Sequence, residues 1–516
     1  MNEKTIKMNK RIVFGAAILA VAVLYLSLAV FSEKITYGSD RDAFLVAHVA
    51  ELLAHHQPYE PSRLPGFPVF ERCMSFFVSQ TDARPAKVMV AACSIAVVAL
   101  VFYLGLLAGG ETLTVLLVGI FFAVVPLWMM TSFVAMDYTV SILFVIAAAK
   151  VFSFCSKPSI RLPGALEASA VVGILIALGV STRLTAFLFL PSAIGAIIFD
   201  KQGRPWAIRI SIIAGLIISS SLFSVLFLYP VIHLYGIKFL SGTRGYHTLL
   251  QAFIWEIQQL FSLGGGLIGS AGIVVLTCIA ISNLRGRIIE HIWTRQGWAI
   301  RTVFLFSIFN TICYYLNPDK ASYYLPLLIG TALFLIIGLR RKNWPLLLAG
   351  IAIMAGSLFW QVNLRHHHFQ VEPGLVKDEW QRQKKDKALY DAMIPIVNNQ
   401  DSTRLLFGFP STDRMLVWFF DKASIYKVIP HPNCKTMWGT WSYYPEPVYN
   451  IGNLLATDPP QLFSQDNTNQ LRALLETRNI KEIILVRSPA EIRLNAFSNL
   501  PGFFSEGRVC RELRYF

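Results

Sequence analysis

Apolar stretches long enough to cross a bilayer recur along most of this chain, and nothing else constrains its fold as strongly. They run approximately over 12–31, 87–108, 113–133, 138–155, 165–181, 184–199, 207–229, 264–282, 300–316, 323–339 and 344–360. A helix rises about 1.5 Å per residue, so ~17–24 residues match a hydrocarbon core of roughly 30 Å. Lipid offers no partner to a backbone amide, so stretches of this kind must be helical. The expectation is a polytopic α-helical membrane protein of about eleven spans.

The basic residues order those spans. Lys4, Lys7, Lys10 and Arg11 precede the first apolar stretch, which is longer than a signal-peptide core and has no small-residue cleavage site after it. It reads as a first transmembrane helix with a cytoplasmic N-terminus. Alternation then puts the loops 156–164, 200–209, 283–301 and 340–343 in the cytoplasm, and each carries Lys or Arg. The turn Gly109-Gly110-Glu111, on the same side, has none. The polar break Ser181-Thr182-Arg183 divides 165–199 into two spans rather than one bent helix. The net charge of +15 is thus a topology signal. No basic, aromatic-interleaved soluble segment is present, so nucleic acid is not an expected partner.

Three regions fall on the extracytoplasmic side: 32–86, 230–263 and everything after 360. In the first, Phe44, Leu45, Val49, Leu52 and Leu53 recur at helical spacing from Asp42, which predicts an interfacial helix. A second short helix is expected after the turn Pro65-Gly66-Phe67-Pro68. From 361 to 516 the composition turns soluble. Short apolar runs at 404–409, 425–429 and 480–486 predict strands, and helical patterns at 378–397 and 468–478 alternate with them. The domain plan is therefore a membrane domain over 1–360 and an extracytoplasmic α/β domain over 361–516.

Seven cysteines are present with no Cys-x-x-Cys pair. Cys434 and Cys510 share the C-terminal region and could pair if it is extracytoplasmic. There is no Walker pattern and no Gly-x-Gly-x-x-Gly. His366-His367-His368 reads as an interfacial polar stretch, since adjacent side chains diverge. The cluster 438–444 (WGTWSYY) reads as core packing or as a sugar platform.

Acids beside a bilayer are costly and usually have a task. Asp40 and Asp42 follow the first span, and either could serve as a general base toward an attacking hydroxyl. They could equally cap the 42–56 helix. An Asp-x-Asp pair can also hold a divalent cation, although two ligands specify little. Asp137 lies between the third and fourth spans on the same side, as a second functional acid or as a helix cap. Arg183, Arg244 and Lys320 are also external. Fixed positive charge there would suit a phosphate leaving group, or it could anchor lipid headgroups.

With these places assembled, the chain resembles the GT-C superfamily of polytopic glycosyltransferases that use polyprenyl-phosphate sugars, of the protein O-mannosyltransferase and lipid A aminoarabinose transferase type. The matching places are the acid after span one, the turn Ser62-Arg63-Leu64-Pro65-Gly66-Phe67-Pro68, and Asp137. Two segments match as well, 179–191 (GVSTRLTAFLFLP) and 319–326 (DKASYYLP). Arg41 stands where many relatives carry an acid, and the Lys-Pro-Pro stretch of close relatives is absent.

The resemblance implies an inverting transfer of a sugar from a polyprenyl-phosphate donor to a hydroxyl of a lipid, glycan or protein acceptor, within membrane lipid at the extracytoplasmic face. It implies Asp40 as base with Asp42 as rival, Asp137 as partner acid, Arg183, Arg244 and Lys320 around the phosphate, and Arg63 and Tyr323 in substrate binding. It names no certain cofactor and leaves a divalent cation open. The alternative from another class is a transporter or flippase of lipid-linked sugars. A polymerase or ligase of such sugars is a further rival. A transporter would place its charges at the membrane midplane, whereas here they cluster at external helix ends.

Overall fold

The computed structural model describes residues 3–39, 41–59, 61–62, 66–79, 81–156, 159–200, 204–236, 259–284, 296–316, 321–365 and 368–398, the strands 404–408, 424–427, 482–487 and 509–514, and residues 257, 290 and 292. Helices fill the apolar stretches. In chain order they are α1 (Glu3–Phe31), α2 (Arg41–Ala54), α3 (Pro68–Met74), α4 (Arg84–Leu107), α5 (Thr112–Ala123), α6 (Pro126–Thr131), α7 (Tyr138–Cys155) and α8 (Leu162–Thr182). A 3-10 turn, Leu184–Leu188, leads into α9 (Phe189–Ile198), followed by α10 (Trp206–Tyr235), α11 (Leu267–Asn283) and α12 (Trp298–Leu316). A second 3-10 turn, Ala321–Tyr324, leads into α13 (Leu325–Gly338), and α14 (Trp344–Ser357) ends the series. Among the described residues, six helical segments are long and apolar enough to cross a membrane, and Thr112–Ala123, Leu184–Ile198 and Leu267–Asn283 are shorter apolar helices.

Proline sets several of these starts. α6, α8, α13 and α14 each carry one in the first turn, where the missing N–H costs nothing and the fixed φ suits a helix. The same chemistry divides the stretch expected as one span at 113–133. Pro126 forces Val125 out of the helical region (ψ 124°), so α5 stops and α6 starts afresh. The 165–199 block is divided as expected, because Arg183 is fully extended (φ −160°, ψ 121°). Small residues then bring α8 against α10. Gly173 faces Ser219 and Gly215 faces Ser169, each with too little room for a Cβ.

The region 32–86 holds the two expected helices, α2 and α3. α3 ends at Met74, and Phe76 and Phe77 lie in the turn beyond it. After α14 the chain forms a two-stranded antiparallel hairpin, β1 (Trp360–Arg365) with β2 (His368–Pro373), and then α15 (Leu375–Asn398). Strands β3 (Arg404–Gly408), β4 (Ser424–Lys427), β5 (Glu482–Arg487) and β6 (Val509–Arg514) make an all-parallel sheet in the order β4-β3-β5-β6. Three of these strands match sequence expectation. β6 does not, because its alternation VCRELR mixes charges into the strand period. The predicted helix at 468–478, Cys434 and the 438–444 cluster lie outside the described residues.

The chain divides into two compact units. One comprises Met1–Lys34, Val49–Val78 and Arg84–Trp380, and the other comprises Ile35–His48, Ser79–Ala83 and Gln381–Phe516.

Candidate active site

The short connection before α7 delivers Asp137, and the break after α8 delivers Arg183. Asp137 stands at the N-cap position of α7 but is itself helical (φ −69°, ψ −14°) and makes no side-chain capping bond. Its carboxylate goes elsewhere: Arg183 Nη1 donates to Asp137 Oδ2 at 2.7 Å. Both groups are withdrawn from solvent, the Asp137 side chain completely and that of Arg183 to 11 % exposure. Arg183 reaches this position because its backbone leaves the helix while its N–H still donates to Gly179 O at 2.7 Å. Gly179 leaves the space in which the chain folds back, with Ala186 and α7 against its α-carbon. Ser141 Oγ donates to Gly179 O at 3.3 Å and ties α7 to α8 one turn away.

Aromatic rings flank the guanidinium. Its carbon lies 4.4 Å from the centre of the Tyr138 ring and 3.9 Å from that of Tyr323. Tyr323 comes from the second 3-10 turn, and Asn310 Nδ2 donates to its carbonyl at 2.8 Å. Its other side stacks on Tyr314, 4.4 Å between centroids and 24° between planes. Burial works against the charged guanidinium, but Asp137 and then the surrounding tyrosines outweigh it, so the Arg183 pKa stands well above its ordinary value. In a low-dielectric setting an ion pair of this kind is held firmly only when its geometry and remaining bonds are good, and cation–π contacts add to the holding. Beside the pair is a cavity of about 20 Å³, bordered by Arg183, Ser141, Thr185, Asn310 and Ser322. That is room for roughly one water.

Three sequence-selected places therefore meet in one cluster: Asp137, the 179–191 segment through Arg183, and the 319–326 segment through Tyr323. Asp42 sits in the first turn of α2 and is buried, in the second compact unit. Asp40, Arg63, Arg244 and Lys320 lie outside the described residues.

Two charged residues escaped the sequence reading. Glu71, fully buried in α3, accepts from Tyr59 Oη at 2.6 Å and from Ser62 N at 2.9 Å. It thereby ties the chain just before Arg63 to α3, and Gly66 ahead of α3 takes a left-handed backbone (φ +88°). Lys87, also fully buried, donates from Nζ to Ser32 Oγ at 2.9 Å and to Glu33 O at 2.8 Å. It joins the end of α1 to the start of α4. A cation is disfavoured at a helix N-terminus, and its place in the first turn of α4 was the available signal.

Asp137 faces a guanidinium, and among the described residues no three His, Cys, Asp or Glu side chains gather.

No protein-family model matches the chain, and no curated protein matches it. Solved structures do. ArnT from Cupriavidus metallidurans in the apo state is similar at a TM-score of 0.53 and 11 % identity, over 82 % of this chain and 86 % of that one. The same protein bound to undecaprenyl phosphate gives 0.51 and 11 %, over 80 % and 85 %. The Archaeoglobus fulgidus oligosaccharyltransferase in complex with Zn and sulfate gives 0.50 and 11 %, over 79 % and 62 %. The chain shares the fold of these proteins.

Proposed function

We propose that this chain is an integral membrane glycosyltransferase that takes a sugar from a polyprenyl-phosphate donor. Transfer is to an acceptor hydroxyl at the extracytoplasmic face. The observation that carries the reading is the buried Asp137–Arg183 pair clasped by Tyr138 and Tyr323. It joins three distant parts of the sequence at helix ends, within a fold shared with ArnT, one of whose structures holds undecaprenyl phosphate.

In this reading the base is Asp40, with Asp42 as the rival. Its carboxylate takes the proton of the acceptor hydroxyl as that oxygen forms a bond to the anomeric carbon. The bond from that carbon to the phosphate oxygen breaks, and its electron pair leaves with the polyprenyl phosphate. A single displacement of this kind inverts the anomeric configuration. The proton then passes from the carboxyl group to water. Arg63, Arg244 and Lys320 meet the negative charge that develops on the leaving phosphate. Arg183, one N–H of which is committed to Asp137, adds positive potential from a fixed place, and Tyr323 shapes the wall beside it. Nothing in this sequence of events is routed through a metal ion. The N-terminus is cytoplasmic, residues 361–516 form an extracytoplasmic domain, and the acceptor is a lipid, a glycan or a protein.

The test uses purified full-length protein in lipid with a panel of short-chain polyprenyl-phosphate sugars, reading released polyprenyl phosphate with and without EDTA. Wild type is expected to release it from one donor in both conditions, and Asp40→Asn to release none. Release by Asp40→Asn but not by Asp42→Asn moves the base to Asp42. Tight donor binding with no release from any of them points to a flippase and overturns the proposal.

A further inference from the structure

The β1–β2 hairpin is built inside out for a soluble surface. Strands alternate their faces, and in water the apolar face turns inward. Here Gln361 and Asn363 turn toward the protein. Gln361 and Asn363 pack against Gly266 at the start of α11, where a Cβ would lie 2.9 Å from Gln361 Cβ and 3.2 Å from Asn363 Oδ1. Asn363 Nδ2 donates to Glu372 Oε2 at 2.8 Å across the strands. The apolar residues turn outward. Trp360 is 58 % exposed, Phe369 and Val371 are each 71 % exposed, and Phe359 just before the hairpin is 55 % exposed.

We infer that this hairpin is an interfacial anchor whose aromatic face lies in the bilayer that the helices cross, at the boundary between acyl chains and headgroups. Three observations select lipid as the occupant. First, the hairpin emerges directly from α14, whose Leu346 and Leu348 are about half exposed, as lipid-facing side chains of a span are. It also packs on the first turn of α11, where Ile268 is 52 % exposed, so the apolar surface continues from helix to hairpin.

Second, the chemistry matches the interface. Lys377 Nζ lies 3.5 Å from the centre of the Trp360 ring. A tryptophan with its ring against acyl chains and an ammonium at headgroup level is the pairing that interfaces favour.

Third, the hairpin is fixed rather than pendant. Gly374 N donates to Phe359 O at 2.9 Å and Lys377 N to Leu358 O at 3.2 Å, and Gly374 sits so close to Ser357 and Leu358 that a side chain there would collide with them. A face held this rigidly at the end of a span meets the bilayer at a set depth.

Full-length protein carrying p-acetylphenylalanine in place of Phe369, of Val371 or of Gln361 is spin-labelled at that residue, leaving the native cysteines untouched, and placed in nanodiscs of zwitterionic and anionic phospholipid. Collision rates with oxygen, which partitions into lipid, and with a nickel chelate, which stays in water, are compared. Labels at 369 and 371 are expected to favour oxygen several-fold, and the label at 361 to meet little of either. Preference for the nickel chelate at 369 and 371 overturns the inference, because the face is then in water. Little access to either reagent there overturns it in favour of a protein cover, from the C-terminal part of this chain or from a second copy. If labelling at 369 impairs folding, 371 decides alone. None of these outcomes bears on sugar transfer, so this inference and the proposed function stand or fall separately.

Discussion

The two ends of the Leu184–Ile198 segment each carry a buried ion pair, and they are built differently. At the first end Arg183 meets Asp137, with Tyr138, Tyr314 and Tyr323 and a small cavity around it. At the other end Asp200 meets Arg301 at 3.0 Å and Arg209 at 3.8 Å. There the arginines turn to backbone. Arg209 donates to the carbonyls of Arg204 at 2.7 Å, Asp200 at 2.8 Å and Ile197 at 3.3 Å, and Arg204 donates to Ile160 at 3.0 Å. Cations that cap helix carbonyls lock the ends of α9 and α10 in place. A cation faced by aromatic rings lines a small cavity instead of capping helix carbonyls. The contrast separates an architectural cluster from a candidate site where burial alone would not.

Breaking each pair in turn sharpens that contrast most. Asp137→Ala strands a buried guanidinium, which should cost ~3–5 kcal/mol of stability and abolish polyprenyl phosphate release. Asp200→Ala strands Arg301 and Arg209 and should cost a similar amount by thermal unfolding in detergent. Its folded fraction should still catalyse transfer at the wild-type rate per molecule. Equal loss of transfer in both variants would erase the distinction. The double variant Asp137→Asn with Arg183→Gln removes both charges and should recover part of the stability while transfer stays absent. Recovery of transfer would make the pair purely structural.

Smaller effects follow from the neighbours. Tyr323→Ala removes one face from Arg183 and should cost ~0.5–2 kcal/mol with a raised KM for donor. Tyr323→Phe keeps the ring and should leave both unchanged. Glu71→Gln weakens the charge-assisted bonds to Tyr59 and Ser62 and should cost about 1.5 kcal/mol. Faster hydrogen exchange at the amide of Ser62 than in wild type would check it, and an unchanged rate would count against the clasp.

Much of the cluster was legible because its parts are local. Asp137, Arg183 and Tyr323 each sit beside a polar break in an apolar run, and topology put all three breaks on one side of the membrane. The division of 165–199 into two elements was readable from Ser181-Thr182-Arg183 for the same reason. Glu71 and Lys87 were not readable as a clasp and a lock. A charge in a turn looks alike in sequence whether it is solvated or fully buried, and only the folded chain brings Tyr59 and Ser62, or Ser32 and Glu33, within bonding distance. The inverted hairpin was hidden likewise, since its period of two shows that its faces differ but not which one turns outward.

The sequence by itself determined that this chain is a bundle of membrane helices, and where its polar breaks fall. Those follow from apolar length against bilayer thickness and from the distribution of Lys and Arg, which are properties of consecutive residues. Only the tertiary structure decided that Asp137 spends its carboxylate on Arg183 rather than on a helix cap, and that two tyrosines from distant segments close over the guanidinium. A carboxylate has several partners it could satisfy, and which one it takes depends on what the packing of α7, α8 and the 321–324 turn brings within 3 Å of it.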